Sequence, residues 1–217
     1  MDYTKRYTRR EDLFNAITHG AGIILSIAGS ILLIINSINY GNIWHISASI
    51  IFGCSMIFMY SCSTIYHGTI NMEKKFRRNI LDHVSIFVLN AGSYTPFLII
   101  TLRNQKGLIY LAVIWGLAII GIFLKIFFMD RFRKITAFIY LIMGWFVVFF
   151  IGTLINSLPK GGFIWLLLGG IAYSVGVIFY QMKKVKYMHF VFHLFVLLGS
   201  LLVFICVYFY VIPMHSP

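Results

Sequence analysis

Residues 187–212 read YMHFVFHLFVLLGSLLVFICVYFYVI, a run without a single Asp, Glu, Lys or Arg. An α-helix rises 1.5 Å per residue, so about 20 apolar residues cross a hydrocarbon core of about 30 Å. This run is long enough, and it is too uniformly apolar for the one-sided stripe of a soluble surface helix. The same pattern recurs toward the N-terminus at 13–37, 43–69, 80–102, 107–128, 134–156 and 162–182. Between the runs lie turn residues: Asn39-Tyr40-Gly41-Asn42, Arg103-Asn104-Gln105-Lys106-Gly107 and Pro159-Lys160-Gly161-Gly162. The expected fold is all-α, an integral membrane bundle of seven transmembrane helices over 13–212. A tail of residues 1–12 precedes it and a short tail of 213–217 follows.

Composition agrees. Apolar and aromatic residues make up 60% of the chain and charged residues 11%, where a soluble domain carries about 25% charged. The first apolar run lasts from Leu13 to about Ile38, too long for the core of a signal peptide, and reads as an uncleaved span. The net charge of +12 does not point to nucleic acid, because the basic residues sit in short clusters between spans. Lys5, Arg6, Arg9 and Arg10 precede span one, and Lys74, Lys75, Arg77 and Arg78 follow span two. Lys125, Arg131, Arg133 and Lys134 surround the break after span four, and Lys183, Lys184 and Lys186 follow span six. Fifteen of the 18 Lys and Arg thus fall on one side, against Arg103, Lys106 and Lys160 on the other. The positive-inside rule makes the N-terminal tail cytoplasmic and the C-terminus external, in a multi-pass protein of the cell membrane. Cys54 and Cys62 lie about 12 Å apart on one helix, too far for a disulfide.

Ionisable groups inside spans are costly and point to function. With this topology, His19, His67, Asp82, His189 and His193 come from four different spans to a similar depth near the cytoplasmic face. His189-Phe-Val-Phe-His193 is an i, i+4 pair, which places both imidazoles on one helix face with Cβ atoms about 6 Å apart. Such a pair suits two ligands of one zinc ion; interhelical hydrogen bonding is the competing reading. His67 supplies a third imidazole, and Ser63 a hydroxyl one turn away. Three histidines with an open fourth position form a catalytic zinc arrangement. Asp82, the only acid expected inside a span, is the candidate base; its competing reading is a pair with Arg78. No HExxH is present to supply a base from the same helix.

Glu11, Asn15 and His19 form an i, i+4, i+8 stripe into span one. It reads as a polar seam between helices, and as a set of groups that position zinc ligands without binding the ion. Gly22, Ser26 and Ser30 continue the spacing as a close packing face. His83 is read as structural, His45 and His215 as interfacial, and Ser93-Tyr94-Thr95-Pro96 as a bend in span three.

Glu11…Asn15…Thr18-His19-Gly20, Ser63-x-x-x-His67, Asp82 and His189-x-x-x-His193 together resemble the hemolysin III family, related to the progestin and adipoQ receptors and the alkaline ceramidases. The resemblance covers essentially the whole chain. It implies seven helices around an intramembrane zinc near the cytoplasmic side, with His67, His189 and His193 as ligands. It also implies that Ser63 and Asp82 hold or activate the water at the zinc.

Three functions follow as expectations. The first is a zinc-dependent hydrolase of lipid amide or ester bonds, with a membrane lipid as substrate. The second is a receptor or membrane-state sensor with structural zinc. The third is a cytolysin or pore, which the apolar outer halves such as Val203–Ile212 and Phe146–Ile155 disfavour, since a conduit needs polar groups along its length.

Overall fold

The computed structural model describes residues 7–128 and 136–214, and among them there are helices and no strand. In chain order these are α1 (Arg9–Tyr40), α2 (Ile43–His67), α3 (Met72–Pro96), α4 (Leu108–Phe127), α5 (Thr136–Gly144), α6 (Ile151–Ser157), α7 (Lys160–Gln181) and α8 (Met188–Cys206). π-helical turns at Phe97–Thr101 and Val207–Val211 prolong α3 and α8, and a 3₁₀ turn at Phe146–Phe150 joins α5 to α6. Seven helical stretches are long and apolar enough to cross a membrane, the fifth being α5, the 3₁₀ turn and α6 together. Lys5, Arg6, Arg131, Arg133, Lys134 and His215 lie outside the described residues.

Two helices begin well before the apolar runs do. α1 starts at Arg9, not Leu13, because Thr8 and Glu11 form a capping box. The Thr8 hydroxyl accepts the Glu11 N–H, and the Glu11 carboxylate accepts the Thr8 N–H at 2.9 Å. α3 starts at Met72, where the Asn71 side chain accepts the Lys74 N–H. Lys74, Lys75, Arg77 and Arg78 therefore ride on the first two turns of α3 and are not in a loop. Hydropathy marks where a helix enters the apolar layer; caps mark where the backbone starts to coil.

Two spans are bent for visible reasons. Pro96 has no N–H to donate, and the backbone after it relaxes into the π turn of span three. Span five breaks at Gly144–Trp145, where Tyr94 of α3 meets two of the freed backbone groups. Its hydroxyl donates to the Gly144 carbonyl at 2.5 Å and accepts the Val147 N–H at 3.2 Å. Irregular backbone inside a membrane survives only with such partners.

α1 packs along α2, α2 along α3 and α7 along α8, while α1 also meets α8, so the first and last spans are neighbours. α3 is the inner helix: 78% of its apolar window is buried, against 22% for α4. Close approach of α1 to α2 and α8 requires Gly22, where a Cβ would stand 2.7 Å from the Tyr60 ring. Across the middle of the bundle, Tyr60 (α2) donates to Ser200 (α8) at 2.8 Å, and Tyr173 (α7) bonds the same hydroxyl at 2.9 Å. His45 is not interfacial. It is 1% exposed and ties the α1–α2 turn to the C-terminal segment through Asn42 and the Met214 carbonyl.

Candidate metal centre

The end of the bundle where α1 begins gathers the histidines. His67 closes α2, and His189 and His193 occupy successive turns at the start of α8, on the face turned toward α1 and α2. His189 Nε2 lies 3.2 Å from His67 Nε2 and 3.1 Å from His193 Nε2. His67 and His193 are buried and His189 is half-buried.

An acceptor at the other ring nitrogen selects the tautomer of two of the three. His193 Nδ1 faces the Asn15 carbonyl at 3.3 Å, an acceptor only, so Nδ1 carries the proton. His67 Nδ1 lies 2.9 Å from the Asp12 carboxylate, again an acceptor. Neutral His67 and His193 therefore both aim Nε2 lone pairs at His189. One N–H on His189 can satisfy only one of them, which leaves the other lone pair without a donor in the cluster. A cation among the three nitrogens removes that conflict. Two nitrogens at about 2.0–2.1 Å from one ion, at a tetrahedral angle, would be about 3.3 Å apart, close to the separations present. The three histidines can hold a metal ion.

Around them, the Asn15 amide nitrogen lies 3.4 Å from His67 Nδ1, farther than the Asp12 oxygen at 2.9 Å, and makes no hydrogen bond to it while Nδ1 carries the proton. His19 stacks on His193, with ring centroids 3.6 Å apart and planes 7° apart. It is buried and both its ring nitrogens are unpaired. Glu11 acts through backbone: besides the cap on α1, its Oε1 accepts the Tyr187 N–H at 2.8 Å. Tyr187 has φ 64, a conformation uncommon outside glycine, two residues before His189. The carboxylate thus holds the strained entry to α8.

Asp82, in the third turn of α3, lines one cavity with Ser63 and lies in electrostatic range of His67 and of buried Lys125. It does not pair with Arg78, whose guanidinium donates to Thr69 Oγ1 at 2.6 Å. His83 does not turn away from Asp82, as adjacency on a helix suggests. Its Nδ1 donates to the Asn79 carbonyl at 2.8 Å, 3.8 Å from the Asp82 carboxylate, and it lines the same cavity.

That cavity, about 120 Å³, runs from His189, His193, Ser63 and Asp82 between α3, α5 and α7 to Trp145 and Ser174. A second, of about 80 Å³, shares Asn90, Ser93, Trp145 and Tyr173 with it and continues to Leu154 and Phe163. Tyr180 lines the first and Phe163 the second, 17 residues and about 26 Å apart along α7.

Sequence reasoning missed Asp12, assigning it to the tail because the apolar run opens at Leu13. A signal was present: Asp12, Asn15 and His19 are spaced i, i+3, i+7 and share one helix face.

The family model described as Haemolysin-III related matches residues 7–204. The chain belongs to the haemolysin-III family. It is 46% identical to the Hemolysin-3 homolog of Bacillus subtilis (strain 168) over 94% of this chain and 96% of that protein. Hemolysin-3 of Bacillus cereus is also 46% identical, over 98% of this chain and all of that protein. A more distant relative is the human Monocyte to macrophage differentiation factor, 27% identical over 86% of this chain and 78% of the other.

Proposed function

We propose that this haemolysin-III protein is a zinc-dependent hydrolase of lipid amide or ester bonds in the cell membrane, with its N-terminus and metal centre toward the cytoplasm. His67, His189 and His193 would hold the zinc. The observation that carries the reading is that His189 and His193, with Ser63 and Asp82, line one cavity that continues along the bundle, while His67 Nε2 lies 3.2 Å from His189 Nε2. Zinc held there would supply Lewis acidity. Asp82 accepts the proton of the attacking water and returns it to the departing amine or alcohol, so that acid and amine, or acid and alcohol, leave. Ser63 keeps the Asp82 carboxylate aimed. The cavity beyond Trp145 receives the acyl chain, which brings the scissile carbonyl to the polar end.

The test is purified protein with zinc measured per chain, incubated with N-acyl and O-acyl lipids beside Asp82→Asn. The expected result is one zinc in both proteins and hydrolysis slower by about 10²–10⁴-fold in the variant, the usual worth of a general acid–base group. Zinc in the wild type with no hydrolysis of either lipid class would leave a sensor with structural zinc as the better reading. The lysis in the relatives' names would follow from released lipid products, given the apolar outer halves of the spans.

A further inference from the structure

Two charged side chains beside the imidazoles have no part in that reaction. Asp12 lies in the first turn of α1, its side chain 13% exposed, and divides its oxygens between two partners. Oδ1 accepts from His67 Nδ1 at 2.9 Å, and Oδ2 accepts from Lys75 Nζ. Lys75, on the first turn of α3, is 5% exposed and also sets its ammonium 5.6 Å from the centroid of the Tyr66 ring. Neither α1 nor α3 contributes an imidazole to the three-nitrogen cluster.

We propose that Asp12 is the positioning residue of the metal centre, holding His67 with its proton on Nδ1 and Nε2 bare for the ion, while Lys75 holds Asp12 in place. This rests on the reading that the three histidines bind a metal. A neutral imidazole carries its proton on either nitrogen, and only the Nδ1–H form leaves Nε2 free to coordinate. An acceptor fixed at Nδ1 selects that form, fixes the ring plane and makes the imidazole a stronger donor to a cation. A carboxylate this deep needs a countercharge, because an unpaired buried charge is strongly unfavourable. Lys75 supplies it and occupies the second oxygen, so the first stays on His67. A staple between α1 and α3 alone would need only the Lys75 contact; the other oxygen, Oδ1, on a candidate ligand adds a role toward the metal.

Full-length protein in detergent, stripped of metal, is titrated with Co²⁺ followed by its d–d absorption, and Zn²⁺ affinity is read by competition. Asp12→Ala and Asp12→Asn are expected to weaken both metals by about 10–100-fold, the usual effect of losing such a partner, and Asp12→Glu to recover most of the loss. Asn36→Ala removes a hydrogen bond to the Tyr208 carbonyl at the far end of α1 and is expected to bind metal as the wild type does. Wild-type affinity in Asp12→Asn would overturn the proposal and leave a staple. So would an equal loss in Asn36→Ala, which would trace the effect to general loosening of α1. A wild type that takes up neither metal would refute the metal reading itself.

Discussion

Replacing His189 by Ala removes the one nitrogen that touches both others, at 3.2 and 3.1 Å. Four-ligand zinc sites in small peptides are worth about 10–16 kcal/mol at pH 7, or about 2.5–4 kcal/mol per ligand. At 1.4 kcal/mol per decade, the variant should bind zinc on the order of 10²–10³-fold more weakly. The same loss appears as stability. At free zinc a thousandfold above the wild-type Kd, the ion stabilises the fold by about 4.1 kcal/mol. In His189→Ala the same free zinc stands at only about 1–10 times the Kd and contributes about 0.4–1.4 kcal/mol. For a chain of this size each kcal/mol moves the midpoint by about 2–4 °C. Zinc should thus raise the wild-type Tm by about 8–16 °C and that of the variant by no more than about 6 °C. Thermal unfolding in detergent under zinc buffering, with metal per chain from equilibrium dialysis, reads both numbers. One zinc per chain in His189→Ala, with a wild-type thermal response, would refute the geometry on which the site rests.

Ser200→Ala strands the Tyr60 and Tyr173 hydroxyls that share it. At about 0.6 kcal/mol per interhelical bond, with a ceiling near 1.7, it should cost about 1–2 kcal/mol in thermal unfolding, without loss of metal. Orientation is checked in a background without Cys54, Cys62 and Cys206. Lys160→Cys should react with an impermeant thiol reagent only from outside the cell, and Lys184→Cys only from within. The reverse pattern would invert the proposed topology.

The spans and the three imidazoles were legible because both depend on local spacing: uninterrupted apolar runs in one case, i, i+4 placement at a common depth in the other. Asp12 and Lys75 were not, because the boundary between tail and helix is drawn by a cap, Thr8 with Glu11, and hydropathy is blind to caps. Lys75 reads as a loop charge and Lys125 as a charge at the end of span four in the sequence, and they are 5% and 2% exposed in the fold. Their burial depends on which helices approach one another at that end of the bundle. His45 was misread for the same reason, since its partner is the Met214 carbonyl, 169 residues away. The break in span five follows from Tyr94 on a different helix, and nothing within Thr136–Ser157 announces it.

The three-nitrogen cluster joins His67 to His189 across 122 residues of chain. At synthesis rates of about 5–20 residues per second, α2 emerges roughly 6–24 s before the start of α8. For that interval the growing protein has at most six of its seven spans, and the His67–Asp12–Lys75 group stands at the edge of an unfinished bundle with one face open. The site is completed only when the last helix arrives and settles against the first. Any ion the proposed centre takes up would therefore bind at the end of biogenesis, and a chain truncated before α8 could insert its earlier helices and still never form the cluster.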